Sequence, residues 1–102
     1  MALLDDVKLA LRIAPAQTQF DSEIEDLIAA AQGELIRAGV DPAKAVDHAD
    51  PLVKRAVVTY CKAHFGWENA DYERLDAAFW RLVEHLSLSA EYRAPDQGVD
   101  NR

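Results

Sequence analysis

Four stretches of this chain repeat their apolar residues at steps of three and four, with glycine or proline in the gaps between them. That period belongs to the α-helix; a half-buried strand alternates every second residue. Residues 3–13 carry Leu3, Val7, Ala10 and Leu11, and Pro15 is the expected stop. Residues 21–38 carry Ile24, Leu27, Ile28, Ala31 and Leu35, with Gly39 placed as a C-terminal stop. Residues 51–65 carry Leu52, Ala56, Val57, Tyr60, Cys61 and His64, opened by Asp50-Pro51 and closed by Gly66. Residues 71–88 carry Tyr72, Leu75, Phe79, Leu82, Val83 and Leu86, ending between Ser87 and Tyr92. Asp21 or Ser22 is the expected cap of the second helix and Asn69 or Asp71 that of the fourth. A short helical turn is expected near Ala43 to Val46. The fold class follows: all-α, a small bundle of about four helices with a C-terminal arm.

With 102 residues the chain has room for one domain, assigned to residues 1–93, followed by a polar arm at 94–102. The arm is too polar to bury a core of its own. A single cysteine, Cys61, forbids an intrachain disulfide and fits a reducing cytoplasm as the place of synthesis. Asp5 and Asp6 follow Met1 to Leu4 directly, so neither a secretory leader nor a membrane span is expected.

Charge narrows the partners. The net charge is −7, distributed as −4 over residues 1–40, +1 over 41–66 and −4 over 67–102. Binding DNA requires neutralising phosphates with Lys and Arg, so an acidic chain is not a stand-alone DNA binder. It can still line a passage through which DNA slides. A small helix-turn-helix regulator, the alternative reading, needs a recognition helix rich in basic and amide residues. Residues 51–65 have bases, but Val and Ala stand between them.

No spacing in the chain builds a catalytic, cofactor or metal site. Cys61 and His64 lie one helical turn apart, but structural zinc sites show paired short spacings, and His48 and His85 are remote. A Cys–His nucleophile needs an orienting third group, for which there is no signature. Asp76 and Glu84 edge the fourth stripe, where salt-bridge or solvent roles suffice. The chain therefore reads as a non-enzyme with no cofactor.

What remains is surface. Lys54, Arg55 and Lys62, with Lys44 nearby, form the one basic patch; a solvated helix face, a subunit contact and a phosphate contact are its possible readings. Glu23, Glu25 and Asp26 crowd the start of the second helix and are complementary to it. Trp80 sits at the margin of the fourth stripe, beside Asp76, Glu84 and Ser87. It is either an interface anchor or a residue covered by the 66–70 loop, with Trp67 stacked nearby. Trp67 is a second interface candidate. Tyr92, with Leu88 and Val99, stands isolated in the terminal polar stretch and is a candidate contact for a partner.

The order of several motifs resembles the phage head–tail connector proteins of long-tailed phages, also called adaptor or head-completion proteins. The resembling pieces are Val7-Lys8-Leu9-Ala10-Leu11-Arg12-Ile13, then Phe20-Asp21-Ser22-Glu23-Ile24 leading into Leu27-Ile28-Ala29-Ala30-Ala31. After a loop comes Asp50-Pro51-Leu52-Val53-Lys54-Arg55-Ala56-Val57-Val58, continuing to Tyr60. Many relatives read Tyr-x-Asn-Arg after the third helix; here the chain reads His64-Phe65-Gly66-Trp67-Glu68-Asn69. The resemblance implies a virion protein of the neck, in a phage, a prophage or a gene transfer agent. It implies a homo-oligomeric ring of about twelve copies below the portal protein, closed by one repeated contact. Such a ring extends the DNA channel without specific DNA binding and offers a platform for the next head–tail joining (stopper) protein.

Overall fold

The computed structural model describes residues 3–66 and 69–94. Trp67 and positions 95–102 of the arm, Val99 among them, lie outside the described residues. Five helices follow in order: α1 (Leu3–Ala10), α2 (Asp21–Arg37), the single turn α3 (Pro42–Ala45), α4 (Pro51–His64) and α5 (Tyr72–Leu88). The protein is all-α; an isolated antiparallel bridge between Val40 and Arg93 is the one strand-like pairing among the described residues.

α4 is the centre. It packs against α5 on one side and α2 on the other, and α1 lies across α2 and α4. Ring contacts fix the directions. Phe20, before α2, meets Phe65, after α4, with centroids 5.5 Å apart. Tyr60 meets Phe79 at 5.0 Å, and His64 meets Tyr72 at 5.3 Å. α2 and α5 therefore both run antiparallel to α4. The interior is filled by Val7, Ile24, Leu35, Val53, Val57, Cys61, Phe79 and Leu86, all fully buried. Each such apolar side chain contributes about 1.5–3 kcal/mol by leaving water.

Helix ends show local chemistry at work. Asp50 caps α4 as expected, its Oδ1 accepting from the N–H groups of Leu52 (2.9 Å) and Val53 (3.2 Å). α2 stops at Gly39, whose φ of 114° lets Gly39 N–H reach Ile36 O and Val40 N–H reach Leu35 O, both at 3.0 Å. These two bonds satisfy carbonyls that the last turn leaves open.

Two terminal assignments need correction. α1 ends before Ile13 and without help from Pro15. Arg12 takes a left-handed conformation (φ 64°), and the same pair of bonds closes the helix: Arg12 N–H to Leu9 O at 3.1 Å and Ile13 N–H to Lys8 O at 2.8 Å. An arginine thus occupies a position where glycine would carry no steric cost. At α2 neither Asp21 nor Ser22 is the cap. Phe20 holds that place without a side-chain bond, because Asp21 is engaged elsewhere. At α5 Asp71 likewise caps without a side-chain bond. Asn69 instead ties the two helices together: its Nδ2 donates to the carbonyls of Lys62 (2.6 Å) and Ala63 (3.2 Å), and its Oδ1 accepts from Asp71 N–H (2.9 Å).

Asp21 is engaged by Lys8. The Lys8 side chain is almost wholly buried, with Nζ 2.7 Å from Asp21 Oδ1, 3.0 Å from Pro15 O and 2.7 Å from Gln17 O. Two of the donors of the ammonium bond the loop carbonyls, and its charge is paired with Asp21. One side chain thereby gathers the α1–α2 loop onto the bundle.

The C-terminal segment is fastened differently. Tyr92, expected to stand free, is a core residue, only 6% exposed. Asp41 N–H donates to Tyr92 O and Ala94 N–H to Gly39 O, both at 2.8 Å, around the Val40–Arg93 bridge. The phenol O–H donates to Asp50 Oδ1 at 3.2 Å, and Lys44 Nζ lies 5.7 Å from the ring centroid.

Candidate assembly surfaces

Cys61 and His64 are both packed against other side chains. Cys61 is fully buried, and burial pushes its thiol up to about 12, so thiolate is scarce near neutral pH. His64 stacks on Tyr60 at 4.2 Å, meets Tyr72 edge-on, and has Nε2 3.9 Å from Asp76 Oδ1. Among the described residues no three His, Cys, Asp or Glu side chains converge as a metal-binding group. No helix of the described residues is long and apolar enough to cross a membrane.

The basic patch of α4 is smaller than its sequence. Lys54 is half-buried and turned inward, its Nζ 3.5 Å from Asp6 Oδ2 on α1. Arg55 and Lys62 are exposed and have no ion-pair partner among the described residues. They lie seven residues apart, two turns along one outward stripe. Val53, Ala56 and Val57 of the same helix face the core, so α4 offers DNA two exposed bases and no amide, a poor recognition helix.

The acids of α2 behave as a surface. Glu23, Glu25 and Asp26 are all exposed and unpaired among the described residues. Their position at the helix N-terminus suits the dipole and holds three negative charges close together. Because Phe20 meets Phe65, the start of α2 and the end of α4 share one end of the bundle. Lys62 and the acids therefore stand at one level, on neighbouring helices. The sequence pairing of these groups is geometrically available, with Lys54 removed from it.

Trp80 is 43% exposed. Its ring meets that of Phe79 edge-to-face, with centroids 5.0 Å apart, and the expected cover by Trp67 lies outside the described residues. Tyr92 is not a free contact residue, for the reasons given above. The sequence reading passed over Leu9, which is 79% exposed and, with Asp5, Lys8, Ile13 and Pro15, lines a groove of about 370 Å³. Its signal was available: Leu9 falls off the Leu3–Val7 stripe, so an apolar side chain stands on a polar face.

The described residues form a helical bundle with exposed acids on α2 and exposed bases on α4. The model of the family described as Phage connector protein matches residues 3–93. The chain belongs to that family, and its role is a structural one of the connector type, as a component of the virion. No curated protein and no solved structure matches it.

Proposed function

We propose that this chain is the repeating subunit of a closed ring at the head–tail junction, seated below the portal, with about twelve copies related by one rotation. The ring extends the DNA channel and presents the platform on which the next head–tail joining protein docks. The observation that carries this reading is the pair of unlike flanks. A ring requires a heterologous contact, in which one face of each subunit meets a different face of the next. Glu23, Glu25 and Asp26 on α2 and Arg55 and Lys62 on α4 are exposed and opposite in sign. Rotation about an axis along the bundle keeps every group at its own level, so Lys62 of one copy arrives beside Glu23 and Asp26 of the next. A net charge of −7 lets DNA pass without gripping its phosphates. In this reading the polar arm at 94–102 contacts the portal.

Reversing charge tests the contact. Lys62→Glu is expected to prevent assembly on portal, read by native mass spectrometry of the mixture, and Glu23→Lys in the same chain to restore it. Assembly of Lys62→Glu indistinguishable from the parent would remove this pairing. Failure of the parent chain to assemble with portal would remove the ring.

A further inference from the structure

The charged flanks steer two copies together, but charge at a rim adds little affinity by itself. A stable contact needs an apolar centre, usually a large side chain seated in a pocket. Each flank carries one half of such a centre. On the α1 side, Leu9, Ile13 and Pro15 form the groove, with Asp5 at its rim. It is preformed: Lys8 holds the carbonyls of Pro15 and Gln17, and the left-handed Arg12 turns Ile13 back toward α1. On the α5 side, Trp80 stands out, with exposed Ala77 one turn before it.

We propose that Trp80 of one copy seats in the Leu9–Ile13–Pro15 groove of the next copy; this rests on the ring reading and gives its contact an apolar core. Three observations carry it. The two elements lie on different flanks: α1 packs on α2 and α4, and α5 packs chiefly on α4. They lie at nearly one level. The contacts Lys8–Asp21, Phe20–Phe65 and His64–Tyr72 put the end of α1, the start of α2, the end of α4 and the start of α5 together at one end of the bundle. Trp80 stands two turns along α5, and a helical side chain leans back toward its own N-terminus, toward the level of Leu9.

The charges agree as well. α1 and α5 run antiparallel, so a rotated neighbour presents α5 antiparallel to α1. With Leu9 opposite Ala77, Asp5 lies four residues back and meets Arg81, four residues on. At the other end the same register brings Arg12 level with Arg74, whose charge is already paired with Asp71 at 3.4 Å, and Glu73 stands beside it. Asp5, Arg12, Glu73 and Arg81 are all exposed, so the contact has an apolar middle and a complementary rim.

Cysteine cross-linking of the full chain on portal tests this directly. The native Cys61 is fully buried, so engineered thiols report alone. Leu9 and Trp80 are both exposed, and thermal unfolding of each variant checks that the fold is kept. Leu9→Cys combined with Trp80→Cys is expected to give a ladder of covalent multimers on mild oxidation. Each single variant alone is expected to give none, and a mixture of the two singles only dimers. Separately, Trp80→Ala is expected to weaken assembly about tenfold or more, the loss typical of a buried aromatic anchor. Assembly without a Leu9→Cys/Trp80→Cys ladder overturns this pairing and leaves the ring standing. Self-cross-linking of a single variant also overturns it, since that requires like faces to meet. Absence of any multimer, by native mass spectrometry of the parent chain with portal, overturns both.

Discussion

Two non-helical segments are fastened to this bundle, one by a charge and one by an aromatic ring. The α1–α2 loop is gathered by Lys8, whose buried ammonium takes two carbonyls and Asp21. The segment after α5 is held by Tyr92, which adds a ring to the core, an O–H to Asp50 and a short backbone pairing around Val40. The difference is one of tolerance. A buried charge is stable only with every partner in place, and removing one member leaves the others uncompensated. A buried ring is held by many weak contacts and loses stability in steps. The first device therefore suits a loop that must keep one shape, and that loop carries the Leu9 groove. The second suits a short segment that follows the last helix.

Lys8→Met breaks the comparison most severely. It keeps an apolar stem but leaves Asp21 and two carbonyls without their donor, and is expected to cost about 3–4 kcal/mol in chemical denaturation. A loss below 1 kcal/mol would mean that the loop is held by other contacts. Tyr92→Phe keeps the ring and removes the bond to Asp50; a loss of about 1 kcal/mol is expected.

The same residue sets a pH dependence. Burial, and then the bond to Asp50, raises the Tyr92 phenol above its ordinary value, and burial likewise raises Tyr60 and Cys61. A group raised on folding favours its protonated form in the native state. Its stabilisation is whole below the unfolded value and fades as pH rises toward the folded one. Stability should hold through neutral pH and fall above roughly pH 9–10, where thiols and phenols begin to ionise. Tyr92→Phe should make that fall shallower, as followed by thermal unfolding across the alkaline range. The smallest effect is expected at Arg12, where Arg12→Gly relieves the left-handed strain but loosens the unfolded chain. A net gain of about 0.5 kcal/mol is expected, with the Leu9 groove unchanged.

The helices were legible in the sequence because their cause is local. The three-and-four period, Gly39, Asp50-Pro51 and Gly66 act within a turn or two of themselves. Lys8 and Tyr92 were not legible, and for one reason. A lysine inside an amphipathic pattern reads as solvated unless its partners are known, and those partners are backbone carbonyls of a loop. Tyr92 follows the last apolar stripe with no periodic neighbour, and its hydroxyl partner is 42 residues away in sequence. The engagement of Asp21 by Lys8 also explains why the expected cap of α2 failed. On the surface the same rule holds. Glu23, Glu25, Asp26, Arg55 and Lys62 were legible as exposed because helical geometry alone turns them outward, whereas Trp80, at the margin of its stripe, was left open between exposed and covered. Lys54 was not, because Asp6 reaches it from another helix.

Cryo-electron microscopy of the neck of a particle containing this chain tests the account most directly. The result expected is a closed ring in which the α4–α5 flank of each copy meets the α1–α2 flank of the next, with Lys62 beside Glu23 and Trp80 in the Leu9 groove. A single copy at the vertex, or neighbouring copies joined through like flanks, would contradict it.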